Sequence, residues 1–108
     1  MTIVKVTRKN GHVVSLRADG HTGYGVEGED IVCAALSSVI QTAVLGLMRV
    51  AGINVGFETD ADGGVLELVI PDLSDNDRHN ADMILDTMLC GIADLHEGYS
   101  DFIELEVK

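Results

Sequence analysis

The sequence predicts an α+β domain of order ββαββαβ, with two helices packed on one mixed or antiparallel sheet. Three observations predict it. Short segments of alternating apolar and polar residues flank Asn10-Gly11, the strongest short-range hairpin signal. A second pair of short strands flanks an Asp- and Gly-rich turn. Two long segments carry apolar stripes at helical spacing. At 108 residues the chain has the length of one domain, taken as residues 1–108, with enough material for one core.

The elements follow in order. Thr2 to Lys9 alternates around Ile3, Val4 and Val6 and reads as a strand. Beyond Asn10-Gly11, His12 to Asp19 alternates through Val14, Leu16 and Ala18. Gly20-His21-Thr22-Gly23-Tyr24-Gly25-Val26-Glu27-Gly28 shows no core-forming period and reads as a mobile loop. Glu29 to Ala51 is the first helix, with Val32, Leu36, Val39, Ile40, Ala43, Leu47 and Val50 as its apolar stripe. Its opposite side holds Ser38, Gln41, Thr42 and Arg49, but also Ala34 and Leu45. So little charge implies cover on most sides, part of which a second subunit could supply. Gly52 ends this helix. Ile53 to Thr59 and Val65 to Ile70 are the next strands, around Asp60-Ala61-Asp62-Gly63-Gly64. The second helix runs from about Asp75 to Glu97, capped by Ser74 and Asp77 and stopped by Gly98. Ala81, Ile84, Leu85, Met88, Ile92 and Leu95 face inward, and Arg78, Asp82, Asp86 and Asp94 outward. Phe102, Ile103, Leu105 and Val107 form a last strand.

Composition narrows the function. The net charge is −11, with 46% apolar and 23% charged residues, a globular composition. Such acidity argues against nucleic acid and against an anionic membrane surface, and favours basic partners. The apolar runs fall short of the ~18 residues of a membrane span. Charged residues stand where a signal peptide would place its apolar run, so the expected location is the cytoplasm. There Cys33 and Cys90 are expected as free thiols. Cys90, near Asp86 and Asp94, reads as a half-buried structural thiol. His12, His21, His79 and His96 are scattered, with no paired metal-ligand spacing, so no metal site is expected. The glycine loop lacks the Lys and Ser/Thr of a phosphate-binding loop, and Glu27, Glu29 and Asp30 would repel an anion.

One pairing carries chemistry. Cys33 is expected in the first turn of the first helix, where free N–H groups and the helix dipole favour a thiolate. His21 opens the loop that leads there. Cys with His is the minimal set for nucleophilic acyl transfer, with His as base, and the same helix start could stabilise an oxyanion. The bland alternative is a small buried Cys among Ile31, Val32, Ala34 and Ala35.

Gly20-His21-Thr22-Gly23-Tyr24-Gly25, followed by Gly28-Glu29-Asp30-Ile31-Val32-Cys33-Ala34-Ala35-Leu36-Ser37, resembles the signature of the ribosomal-processing cysteine protease family. The signature covers about residues 20 to 37, and the acidity, length and element order of the rest are also similar. Thr22 departs from the family's usual Ala, and Leu36, Ser38 and Val39 vary the helix. The resemblance implies a cytoplasmic, homodimeric cysteine endopeptidase that needs no cofactor. It would remove the N-terminal extension of a large-subunit ribosomal protein, cutting after aromatic residues and before a small one. Cys33 would be the nucleophile and His21 the general base.

Neighbouring residues admit supporting roles. Asp30, one turn before Cys33, could cap the helix or orient His21. Ser37, one turn after, could bond near the thiol or back to a helix carbonyl. Gly20 could aim His21 by its backbone freedom or simply end the strand, and Tyr24 could touch substrate or stand exposed. The alternative from another class is a non-catalytic, acidic, dimeric module that holds a basic ribosomal protein without cutting it. Such a module would need neither His21 nor Cys33.

Overall fold

A computed structural model describes residues 1–20, 29–60 and 64–108, with the side chains of Glu29 and Asp30 also outside the description. The elements are β1 (Thr2–Lys9), β2 (His12–Asp19), α1 (Glu29–Leu45, continued by a wider π-type turn at Gly46–Val50), β3 (Gly56–Asp60), β4 (Val65–Val69), α2 (Asp75–Gly98) and β5 (Ile103–Val107). The order is the expected ββαββαβ. One five-stranded sheet runs β3-β4-β2-β1-β5. It is mixed, because β5 pairs parallel with β1 while the other neighbours pair antiparallel.

The β1–β2 hairpin closes over Asn10 (φ 54°) and Gly11 (φ 81°), the left-handed pair that matches the twist of two-residue hairpins. A bulge interrupts the pairing: Thr7 faces Ser15, but Arg8 faces Val13. The extra residue, Val14, switches the side of the strand that looks inward. Val13, Leu16 and Ala18 are therefore buried, and Val14 is only half-buried, where unbroken alternation placed it with Leu16 and Ala18. Ile70 donates its N–H to the Val14 carbonyl at 2.9 Å, which holds the bulge from the β4 side.

One face of the sheet carries Thr2, Val4, Val6, Leu16, Ala18, Leu68 and Ile103 against the two helices. The other face carries charge. Glu58, Glu67, Arg17, Lys5 and Glu106 stand in one register row across all five strands. Arg17 pairs with Glu67 inside that row.

From α1, Val32, Leu36, Ile40, Ala43, Val44 and Leu47 fill the core. The expected stripe ended on Val50, which is instead 84% exposed. The reason is local: Ala51 donates to the Gly46 carbonyl five residues back, and this wider turn rotates Val50 off the stripe. Gly52 (φ +69°) then takes the left-handed turn and Ile53 returns its N–H to the Leu47 carbonyl. Ile53 is thus spent on closing the helix, so β3 starts at Gly56 rather than Ile53. Of the turn that joins β3 to β4, residues 61–63 lie outside the described residues.

Residues Ile31–Val50 are also long and apolar enough, by length and composition, to cross a membrane. This corrects the expectation drawn from uninterrupted apolar runs. Ser, Gln, Thr and Gly break those runs, and Arg49 is the one charge. In the fold this helix lies on the sheet with Val32, Leu36, Ile40 and Leu47 buried.

Ser74 caps α2 by accepting the Asp77 N–H at 3.2 Å. Ala81, Leu85, Met88 and Ile92 are buried, with Ile84 and Leu95 packed beside them. Gly91 lets Val39 of α1 approach, since a Cβ there would stand 3.2 Å from its Cγ1. Two residues expected to face outward instead turn onto β2. Arg78 donates through Nη2 to the Val13 carbonyl (3.0 Å) and through Nε to Asp82 (2.9 Å). Asp82 also bonds His12 Nδ1 at 2.7 Å. This cluster ties α2 to the bulge. Cys90 is exposed rather than half-buried, because it lies off the stripe of Leu85, Met88 and Ile92.

Candidate active site

Cys33 is the fifth residue of α1 and is partly buried. Side chains on a helix lean toward its N-terminus, so the thiol is carried to the end where β2 finishes. Its sulfur forms a hydrogen bond with the Thr2 hydroxyl, with Oγ1 and Sγ 2.9 Å apart. Thr2 is the buried polar side chain of this region, 4% exposed. It sits at the start of β1, its own N–H bonded to the Phe102 carbonyl at 2.8 Å. The same face of β1 carries Val4 and Val6, two and four residues on, so the strand's pleat aims Thr2 at the helix.

Gly20 closes against this pair. A Cβ on Gly20 would stand 2.9 Å from Thr2 Oγ1, 3.3 Å from Cys33 Sγ and 3.4 Å from Thr2 Cγ2. Its φ is outside the left-handed region. Glycine is therefore required here for close approach, not for the backbone freedom weighed from sequence. Its N–H bonds the Gly64 carbonyl at 2.9 Å, which ties the residue before β4 to the same place.

Together these residues wall a cleft of about 300 Å³ between the start of α1 and the β2–β4 end of the sheet. Cys33 and Ser37 lie one helical turn apart on its α1 side. Ala18, Leu36, Ile40 and Leu66 make it mainly apolar. A thiol at the wall of an apolar cleft open to solvent can attack a bond in a bound chain.

The structure thus brings Gly20, Cys33 and Ser37 to one cleft. His21 and Tyr24 lie outside the described residues, as does the side chain of Asp30. Thr2 was missed from sequence, where it read as a polar residue of an alternating strand. The signal was present: Thr2 has the parity of Val4 and Val6, so the inward face of β1 includes it. Among the described residues no group of three His, Cys, Asp or Glu could hold a metal ion.

The whole chain has relatives. A sequence model described as cysteine protease Prp matches residues 1–104. The ribosomal processing cysteine protease Prp of Staphylococcus aureus is 31% identical over 108 residues, covering 100% of this chain and 99% of that protein. The protein of the same name from Bacillus subtilis is 24% identical over 103 residues, 92% of each chain. The fold agrees with a crystal structure of an essential ribosomal processing protease Prp from S. aureus in complex with a substrate peptide. The TM-score is 0.89 and the identity 29%, over 100% of both chains. A second structure of that protease, with a covalently linked product peptide, gives a TM-score of 0.84 at 32% identity, again over 100% of both. The sequence model spans residues 1–104, the fold agrees over the full length, and the chain belongs to the cysteine protease Prp family.

Proposed function

We propose that this protein is an endopeptidase that removes the N-terminal extension of a large-subunit ribosomal protein, with Cys33 as nucleophile and His21 as general base. The observation that carries the reading is the placement of the Cys33 sulfur at the wall of the apolar cleft, hydrogen-bonded to Thr2 and pressed against Gly20. The relative from S. aureus captured with a covalently linked product peptide supports a covalent intermediate here.

In this reading His21 takes the thiol proton. The Cys33 thiolate adds to the scissile carbonyl carbon. The tetrahedral intermediate collapses with loss of the amine, which receives the proton from His21. A water, deprotonated by His21, then hydrolyses the thioester and restores the thiol. Backbone N–H groups at the start of α1 stabilise the oxyanion. The apolar walls of the cleft suit an apolar or aromatic side chain of the substrate. The charge of −11 steers a basic ribosomal protein toward the site. Asp30 serves as helix cap or as orienter of His21, Ser37 as a polar neighbour of the thiol, and Tyr24 as a substrate contact.

The protein works in the cytoplasm as a homodimer. Ile31 (73% exposed), Met83 (63%) and Met48 (47%) leave the helical side with apolar surface that a second copy would cover.

Mixing the protein with the host's extended ribosomal protein and reading intact masses tests the reading. A single N-terminal cut by wild type, absent with Cys33→Ala and with His21→Ala, is expected. Stable binding without a cut by all three forms would overturn it and leave the acidic binding module in its place. Sedimentation of the free protein at twice the chain mass checks the dimer.

A further inference from the structure

We infer that Thr2 is a positioning residue for the Cys33 nucleophile: its hydroxyl donates to the thiolate and holds the sulfur at the cleft wall. The inference rests on Cys33 being the nucleophile, as proposed above.

The geometry is specific. Thr2 Oγ1 lies 2.9 Å from Cys33 Sγ, although the residues are 31 positions apart in the chain. A thiol can either donate to a hydroxyl or accept from it. A thiolate has no proton, so in the attacking form the Thr2 hydroxyl is the donor. The bond therefore strengthens as charge appears on sulfur, since hydrogen bonds to an ionised partner are about twice as strong as neutral ones.

The donor is also rigid. Thr2 begins β1, an interior strand flanked by β2 and β5. Its N–H is fixed on the Phe102 carbonyl. β-Branching restricts χ1, and Gly20 stands so near that a Cβ there would meet both Oγ1 and Cγ2. The sheet thus sets the sulfur's place from one side, while α1 sets it from the other. Among the described residues, Cys33 is the partner of this hydroxyl. Val4 and Val6 fill the equivalent inward positions with hydrocarbon, and Val at position 2 would have the same shape.

The size of the effect follows from two opposed terms. A hydrogen bond to a charged group contributes about 1.5–3 kcal/mol, or about ten- to a hundredfold in a rate that depends on it. The less stabilised thiolate left by its loss is intrinsically more nucleophilic, which offsets roughly 40–50% of the logarithm. The net loss in rate is about three- to tenfold.

The test uses the full-length protein and a peptide spanning the cleavage site of the extended ribosomal protein. Thr2→Val, an isosteric change, is expected to lower kcat about three- to tenfold with KM little changed. Thr2→Ser, which keeps the hydroxyl, is expected to recover most of the rate. Thermal unfolding of Thr2→Val at or above the wild-type temperature separates this loss from misfolding. If Thr2→Val matches wild type while Cys33→Ala is inactive, Thr2 has no positioning role and the inference fails. If Thr2→Ser is as slow as Thr2→Val, the hydroxyl is not the cause and the inference also fails. If Cys33→Ala still cleaves, the proposed nucleophile itself is wrong, an outcome distinct from the other two.

Discussion

Replacing Gly20 by Ala isolates the packing that positions the thiol. The new Cβ would sit 2.9 Å from Thr2 Oγ1 and 3.3 Å from Cys33 Sγ. Real Cβ atoms do not approach a neighbour within 3.0 Å, so something must move. Thr2 is held in the sheet by its N–H bond to Phe102, Cys33 is in a helix, and Gly20 is itself bonded to the Gly64 carbonyl. Backbone conformation is not the obstacle, because Gly20 is outside the left-handed region. Removing glycine from the unfolded chain even favours folding by about 0.4–1 kcal/mol. Overpacking a close-fitting interior costs about 1–3 kcal/mol. The difference is a net loss of about 1–2 kcal/mol, read as a lower urea midpoint at unchanged m-value. A double-mutant cycle with Thr2→Ala identifies the cause. Truncating Thr2 removes two of the three close atoms, so the double variant should be more stable than the sum of the single losses by about 1 kcal/mol. A Gly20→Ala protein as stable as wild type, or strict additivity in the cycle, would refute the argument.

Other predictions concern the frame around the site. Asp82→Ala strips the carboxylate partner from Arg78 and His12 at once and should cost about 1–3 kcal/mol in chemical denaturation. Ser74→Ala removes the cap of α2 and should cost about 0.5–2 kcal/mol by the same measurement. Leu85→Ala, at a fully buried position of α2, should cost about 2–5 kcal/mol in urea, with the larger values if the helices fail to close on the cavity.

The order of elements was legible because its signals are local. Asn10-Gly11 fixes a hairpin by its own dihedral angles, and the stripes of both helices repeat over several turns. What escaped was set by partners distant in the chain. The Val14 bulge depends on the register between β1 and β2, which no single strand encodes. The π-type turn at Gly46–Val50 moved Val50 into solvent, although its spacing continued the stripe. Arg78 and Asp82 read as outward residues of α2 because their partners, Val13 and His12, are on another element. At the site, the run through Cys33 marked the candidate nucleophile and Gly20 its neighbourhood. The physical role of Gly20 became visible only with Thr2 and Cys33 folded against it. Thr2 carries no motif and gains its place from the parity of β1 and the approach of α1.

Cys33 is proposed as the activated nucleophile, and the two free cysteines allow a direct measurement of its reactivity. Timed labelling with iodoacetamide near neutral pH, mapped by mass to each thiol, compares Cys33 with Cys90 in one molecule. Exposure alone favours Cys90, which is exposed while Cys33 is partly buried. An activated thiolate reverses that order. Cys33 is expected to be modified at least about tenfold faster than Cys90, and His21→Ala to remove this advantage while leaving Cys90 unchanged. Labelling of Cys90 first, with Cys33 modified only on unfolding and His21→Ala without effect, would contradict it.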